Sequence, residues 1–181
     1  MFEKCIALEN LNLGSNFNSI NVLDLIRMFK KCEALQSLGL SSFRSDCDKT
    51  FGIMFAGSIN ILELDLSNFK SENVVDIEGM LMECNNLKKV DLSSFNTKNV
   101  EMMKWLFYAC HNLESIDITN FNISKVTKVA NLFNGCYKLT SINVNHFNTS
   151  WIQFMGYVLC LYWFRQFWCF EFWHEKWYWY K

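Results

Sequence analysis

Acidic and hydroxyl side chains recur at a fixed spacing along this chain. Asp65, Asp91 and Asp117 are 26 residues apart, and a Ser or Thr follows each of them after one intervening residue. If neighbouring repeats place these carboxylates about 4.8 Å apart, their mutual repulsion favours a ridge that binds a cation or faces a ligand. The alternative is a solvated sheet face without a bound partner. The candidate partner-binding ridge, on the predicted concave face, comprises Asp65, Ser67, Asp91, Ser93, Asp117, Thr119 and Asn143.

Cysteines form a second column with nearly the same spacing, and Ser58 replaces one of them. The column contains Cys5, Cys32, Cys84, Cys110 and Cys136. We expect free, buried, small apolar thiols here. A disulfide needs Cα atoms within about 7 Å, which packed helices in neighbouring repeats would exceed, and neither a Cys-x-x-Cys pair nor a His cluster is present.

The three histidines, His111, His146 and His174, have no partner at the spacing of a catalytic triad or a metal site. His174-Glu175 is not followed by the second histidine that a zinc-protease helix requires. We therefore predict no catalytic residues, no cofactor and no metal, and we expect that the protein is not an enzyme.

The overall charge argues against nucleic acid as a partner and makes membrane contact, which only the aromatic tail at residues 160–181 could provide, an unlikely alternative. The chain has 181 residues, a formal net charge of −1 and 19% charged residues, so it lacks the basic surface that nucleic acid requires. It also has no polybasic run for an anionic membrane. Proline is absent and glycine occurs only seven times, so no segment resembles a linker.

The elements that position these columns repeat with them. An apolar pair, two residues and a small residue recur six times, beginning at Met1, Met28, Met54, Met80, Leu106 and Leu132. Such a period is typical of repeats that stack to bury a shared apolar face, so residues 1–159 form one domain. Because the first copy begins in the middle of the repeat, we expect a fragment of a longer chain.

Each repeat combines two patterns. In Ile116–Thr119, apolar and polar residues alternate as in a short half-buried strand. Val126, Val129, Leu132, Phe133 and Cys136 then follow the spacing of one helical face. Strands stack about 4.8 Å apart and helices about 8–10 Å apart, so the stack should curve with its strands on the concave side. The predicted fold is an α/β solenoid, a leucine-rich-repeat-like horseshoe of about six 26-residue strand–helix repeats.

An aromatic column follows the predicted strands. It contains Phe17, Phe43, Phe69, Phe95, Phe121 and Phe147. Stacked rings at this position predict a core spine that holds neighbouring repeats together.

The segments Leu113-x-x-Ile116-x-Ile118-x-x-Phe121-Asn122 and Leu87-x-x-Val90-Asp91-Leu92-x-x-Phe95-Asn96 resemble the leucine-rich repeat consensus. Together with the Val-x-x-Met-x-x-Leu-Phe-x-x-Cys segment, they resemble the BspA-like leucine-rich repeat surface protein family over residues 1–159. The resemblance implies a non-catalytic protein at the cell surface or secreted, which binds a protein ligand such as a host or matrix protein. The alternative is an intracellular leucine-rich repeat scaffold.

Residues 160–181 break the pattern. Twelve of the last 22 residues are Phe, Trp or Tyr, and Arg165-Gln166 interrupts the apolar run before it reaches the length of a membrane span. Three interpretations remain: a frame artefact, which we favour, a cap over the last repeat, and a membrane-interface segment.

Overall fold

The computed structural model describes residues 1–14, 25–40, 49–69 and 71–147. These residues contain four strands: β1 Asn10–Asn12, β2 Ser37–Gly39, β3 Glu63–Asp65 and β4 Lys89–Asp91. β1 pairs with β2 and β3 pairs with β4, and both pairs are parallel. Residues one repeat apart face each other, as Leu64 faces Val90 and Asp65 faces Asp91.

The segment predicted as a helix is instead a series of tight turns. In one repeat, the N–H of Met54 donates to the carbonyl of Phe51 at 3.2 Å, whereas the N–H of Phe55 donates to Met80 of the next repeat at 2.9 Å. Because alternate N–H groups leave the segment, the ladder of an α-helix cannot form. Within the described residues no helix is present. The predicted α/β solenoid of strand–helix repeats is therefore wrong.

Backbone conformation explains why the predicted helix does not form. Ile53 and Gly57 have φ angles of +47° and +74°, and Gly79 and Glu83 have φ angles of +60°. From Arg27 to Gly135, two left-handed residues thus occur in each repeat, four positions apart, and a right-handed helix accommodates neither. They redirect the intervening N–H groups toward the neighbouring repeat.

The spacing of the repeats on this side also differs from the prediction. The rings of Phe2 and Phe29 stack with centroids 5.5 Å apart, and those of Phe107 and Phe133 stack at 5.2 Å. Repeats are therefore nearly as close here as along the strands. The spacing mismatch from which the horseshoe was predicted is absent, and so is the distance argument used against disulfides. The five cysteines described, Cys5, Cys32, Cys84, Cys110 and Cys136, are nevertheless free.

The apolar columns themselves form the core. Val126, Leu132, Phe133 and Cys136 are at most 2% exposed, so four of the five residues of the predicted stripe are buried although the segment is not helical, and Val129 is half-buried. In the aromatic column, Phe69, Phe95 and Phe121 are buried, which confirms the core spine at these three positions, whereas Phe147 is only half-buried. Phe17 and Phe43 lie outside the described residues.

The segment predicted to begin at residue 160 lies outside the described residues, as do Cys47, Cys160, Cys169 and His174. In the part of the chain that the structure describes, no helix is long and apolar enough to cross a bilayer.

Candidate functional site

The acidic residues of the ridge each close a tight turn after the strand position. Asp65 and Asp91 accept hydrogen bonds from the N–H groups of Ser67 and Ser93, both at 2.9 Å. Asp117 accepts from the N–H of Thr119 at 2.9 Å and from its hydroxyl at 2.7 Å. A side-chain oxygen that bonds the backbone two residues later defines an Asx turn. The ridge residues therefore have a structural role as well as a surface position.

Asn143 continues the column with the same geometry. Its side-chain oxygen accepts from the N–H of Asn145 at 3.2 Å, and Asn12 in the first repeat does the same for Gly14 at 2.9 Å. Sequence reasoning missed this role. The signal was present, because an Asp or Asn with a Ser, Thr, Asn or Gly two residues later is the pattern of such turns.

Hydrogen bonding lowers the pKa of two carboxyl groups of the ridge, those of Asp91 and Asp117. The hydroxyl and then the N–H of Ser93 lower the pKa of the Asp91 carboxyl from its ordinary value. Thr119 lowers the pKa of Asp117 in the same way, with a smaller contribution from His146. Both groups are ionised at neutral pH.

A groove of about 710 Å³ runs along this face of the molecule. Five of the seven predicted ridge residues line it: Asp65, Asp91, Ser93, Asp117 and Thr119. The other two predicted residues, Ser67 and Asn143, do not line the groove. Glu63 adds a fourth carboxylate and Lys89 a cation, so the lining is predominantly acidic. We call this feature the strand-face groove.

Apolar side chains lie between the charged columns of the groove. Leu64 is 3% exposed, and Val90 and Ile116 are half-buried at the neighbouring repeats. Leu64 belongs to the buried core, whereas the half-buried Val90 and Ile116 add a small apolar area between the charged side chains of the strand-face groove.

The described residues do not assemble a metal site. Within residues 1–14, 25–40, 49–69 and 71–147, no group of three or more His, Cys, Asp or Glu side chains is arranged to hold an ion. The carboxylates of the ridge follow one another along the stack and each is engaged in its own turn. Cation binding is thus the weaker of the two functions considered for the ridge.

The cysteine column is a column of hydrogen-bond donors, which sequence reasoning also missed. The thiols of Cys84 and Cys110 donate to the carbonyls of Phe55 and Leu81 at 3.3 and 3.1 Å. Ser58 occupies the equivalent position, and its hydroxyl donates to the carbonyl of Phe29 at 2.6 Å. Burial raises the pKa of Cys84 to about 12, so the thiol is not a nucleophile at neutral pH. The column has a structural role.

Asparagines form a further column that links the repeats. The side-chain amide of Asn86 donates to the side-chain oxygen of Asn60 at 3.1 Å, and that of Asn112 donates to Asn86 at 3.1 Å. The same ladder begins at Asn60, whose amide donates to the carbonyl of Glu33 at 2.9 Å. Because these polar groups are satisfied within the stack, they are not candidates for ligand binding.

Two of the histidines pack against aromatic rings. His111 stacks on Tyr137 with ring centroids 5.0 Å apart, and His146 contacts Phe147 edge-on at 4.6 Å. These ring contacts position both imidazoles within the stack.

Fold and site together define a protein of stacked 26-residue repeats, held in register by backbone hydrogen bonds and polar columns, with an acidic groove along its strand face. The chain belongs to the family described as "Mycoplasma protein of unknown function, DUF285", whose sequence model matches residues 1–115 and 83–162. Two overlapping matches are what an internal repeat produces. Comparison with curated proteins and with solved structures finds no match.

Proposed function

We propose that the protein is a non-catalytic repeat protein that mediates protein–protein interaction or adhesion at a cell surface. The observation that supports this proposal is the strand-face groove, in which the half-buried Val90 and Ile116 lie between acidic side chains. Extended surfaces along a stack of repeats are the usual binding surfaces of repeat proteins.

The charges of the groove favour a basic protein ligand. Glu63, Asp65, Asp91 and Asp117 line the groove with Lys89 as the cation among them. Opposite charges on the two partners accelerate association and select against acidic competitors. A host or matrix protein with an exposed basic segment has the required chemistry.

The proposed location rests on the resemblance to BspA-like surface proteins. The second candidate, an intracellular repeat scaffold, would use the same groove for a protein ligand inside the cell. Location therefore distinguishes the two, whereas the groove supports both.

Binding can be tested with wells coated with a mixed extracellular-matrix extract. We expect saturable binding of the purified chain that weakens as the salt concentration rises from about 0.05 M to about 0.5 M, because salt screens exposed charges. Heat-unfolded chain is the control for non-specific apolar adsorption. Absence of saturable binding, or binding that is unchanged by salt, would contradict an acidic adhesion surface.

Location can be tested by adding protease to intact cells of the source organism. We expect the chain to be cleaved while a cytosolic marker remains intact. If both are protected until the cells are lysed, the intracellular scaffold is the correct interpretation.

A further inference from the structure

The charges that line the strand-face groove are unevenly distributed along the stack. In the repeat that contains β3, the exposed Glu63 and Asp65 both contribute negative charge. In the next repeat, Lys89 and Asp91 line the groove and their charges cancel. In the third repeat, Asp117 is the charged residue of the lining. Negative charge is therefore concentrated in the first and third of these repeats, with a neutral repeat between them.

Backbone pairing fixes the distance between the two negative repeats. Asp65 faces Asp91 in the parallel pair of β3 and β4. The N–H of Glu114 donates to the carbonyl of Lys88 at 3.2 Å, which stacks the third repeat on the second. Because neighbouring repeats are about 4.8 Å apart in such a ladder, the negative charges of the first and third repeats are about 9.6 Å apart.

The strand-face groove is too narrow for a helical ligand. Its volume of about 710 Å³ extends over three repeats, which together occupy about 14 Å of the stack. The cross-section of the groove is therefore about 50 Å², or about 7 Å across, whereas an α-helix with its side chains is about 10–12 Å wide. A ligand chain that enters the groove must be more extended than an α-helix.

The two extended backbone conformations space their side chains differently. In a β-strand, side chains on one face recur about every 6.6–6.8 Å, which does not match a charge spacing of about 9.6 Å. The N–H and C=O groups of β3 and β4 also point within the sheet toward neighbouring repeats, so a strand lying on their face would gain no backbone hydrogen bonds. In a polyproline II helix, three residues complete one turn and advance about 9.3 Å, and the backbone needs no hydrogen-bond partner in the protein. Every third side chain of such a helix therefore points the same way at nearly the required spacing.

We infer that the ligand segment bound by the strand-face groove is a polyproline II helix with a Lys or Arg at every third position. One cationic side chain lies beside Glu63 and Asp65, and the next lies beside Asp117. Lys89 selects this spacing, because it repels a cation placed at the middle repeat. The polyproline II backbone is formed before binding, which lowers the entropy cost of ordering the ligand. The inference rests on the proposed function, in which this groove binds a basic protein ligand, and adds the conformation and charge spacing of that ligand.

Two end-capped, fluorescently labelled peptides of identical composition test the inference by equilibrium titration of the full chain at about 0.02 M salt. Pro-Pro-Lys-Pro-Pro-Lys-Pro-Pro places both lysines on one side of a polyproline II helix. Pro-Pro-Pro-Lys-Lys-Pro-Pro-Pro turns them about 120° apart, so only one of them can reach the groove. We expect the first peptide to bind at least about fivefold more tightly than the second.

Two lysine substitutions test the role of the central cation. Lys89→Gln removes the charge that separates the negative repeats, so the preference between the two peptides should fall below about twofold. Lys88→Gln is the matched control, because Lys88 is exposed in the same repeat but does not line the groove. The control should keep the preference of wild type.

The outcomes separate this inference from the proposed function. Equal affinity of wild type for the two peptides, tighter binding of the adjacent-lysine peptide, or binding of neither would each overturn the inference. An unchanged preference in folded Lys89→Gln, or an equal loss of preference in Lys88→Gln, would overturn it as well. Circular dichroism establishes that the variants are folded, and the comparison in wild type decides alone if Lys89→Gln is not. The proposed function is tested separately, by saturable binding to the matrix extract.

Discussion

Asp65 and Asp91 lie opposite each other in the parallel pair of β3 and β4, and each accepts a hydrogen bond of 2.9 Å from the N–H two residues later. The carboxylates that line the strand-face groove are thus also the residues that shape its edge. Any test of binding must remove the charge while it keeps the turn, and asparagine does this because its side-chain oxygen can replace the carboxylate.

The turn role predicts different effects of two substitutions at Asp65. Asp65→Ala removes the acceptor for the N–H of Ser67 and should destabilise the protein by about 0.5–1 kcal/mol. Asp65→Asn keeps the acceptor and should be close to neutral. Urea unfolding of both variants measures the difference. Equal stability of the two would show that the hydrogen bond contributes nothing.

Acid should destabilise the protein through Asp91 and Asp117. Their pKa values are lowered in the folded state, so their contribution to stability is present above the ordinary value of 3.8 and is lost as the pH falls through the lower folded values. The double variant Asp91→Asn, Asp117→Asn should therefore lose less stability than wild type between about pH 5 and about pH 2. Urea midpoints across this range measure how the stability of wild type and of the double variant depends on pH. An identical pH dependence would refute the conclusion that Asp91 and Asp117 have lowered pKa values.

The hydroxyl of Ser58 should contribute to stability as a buried donor. Ser58→Ala removes its hydrogen bond to the carbonyl of Phe29 and should cost about 1 kcal/mol. Ser58→Cys supplies the thiol donor that the equivalent positions use, so it should cost less. Thermal unfolding ranks the variants, and a Ser58→Cys variant less stable than Ser58→Ala would contradict the donor column.

The left-handed positions predict opposite effects of exchanging glycine and alanine. Gly135 has a φ of +84°, and a Cβ there would lie 3.0 Å from the Cα of Ala109, so Gly135→Ala should destabilise by more than about 1 kcal/mol. Ala109 has a φ of +58° at the equivalent position, and Ala109→Gly should be neutral or stabilising. Calorimetry of Gly135→Ala and Ala109→Gly measures their unfolding temperatures relative to wild type. The reverse order of stability would show that the turn conformation is wrong.

The buried thiols should resist alkylation in the folded protein. Burial raises the pKa of Cys84 and Cys136 to about 12, so little thiolate exists at pH 8, and both side chains are at most 2% exposed. Cys5 is half-buried and should react before the other four cysteines that the structure describes. Mass spectrometry after brief iodoacetamide treatment, with urea-unfolded protein as the control, reports each site. Native labelling of Cys84 as fast as that of Cys5 would contradict the packing.

The sequence predicted which residues are buried but not the backbone that buries them. Val126, Leu132 and Phe133 have the spacing of a helical face, yet turns closed by bonds to the third preceding residue produce nearly the same apolar spacing. The decisive left-handed positions include Ile53, Glu83 and Trp105, whose side chains do not indicate that conformation. Only Asn131 and the glycines at positions 57, 79 and 135 carried the signal.

The position of the ridge followed from periodicity, whereas its local role did not. Asp65, Asp91 and Asp117 fall in one column because a fixed repeat must align them. Their Asx turns depend on how the chain leaves each strand, and the assumed transition to a helix hid that geometry. The donor role of the cysteines was missed for the same reason, since the carbonyls they contact belong to the turn segment of the preceding repeat.

The most direct test of the proposed function compares two charge-removing variants in binding to wells coated with matrix extract. The triple variant Asp65→Asn, Asp91→Asn, Asp117→Asn keeps the turns and should lose at least about tenfold in affinity. Asp76→Asn is the control, because Asp76 closes an equivalent turn with Glu78 at 2.8 Å but does not line the strand-face groove. We expect the control to bind as wild type does. Wild-type binding by the triple variant, or an equal loss in both variants, would contradict the assignment of the strand-face groove as the binding surface.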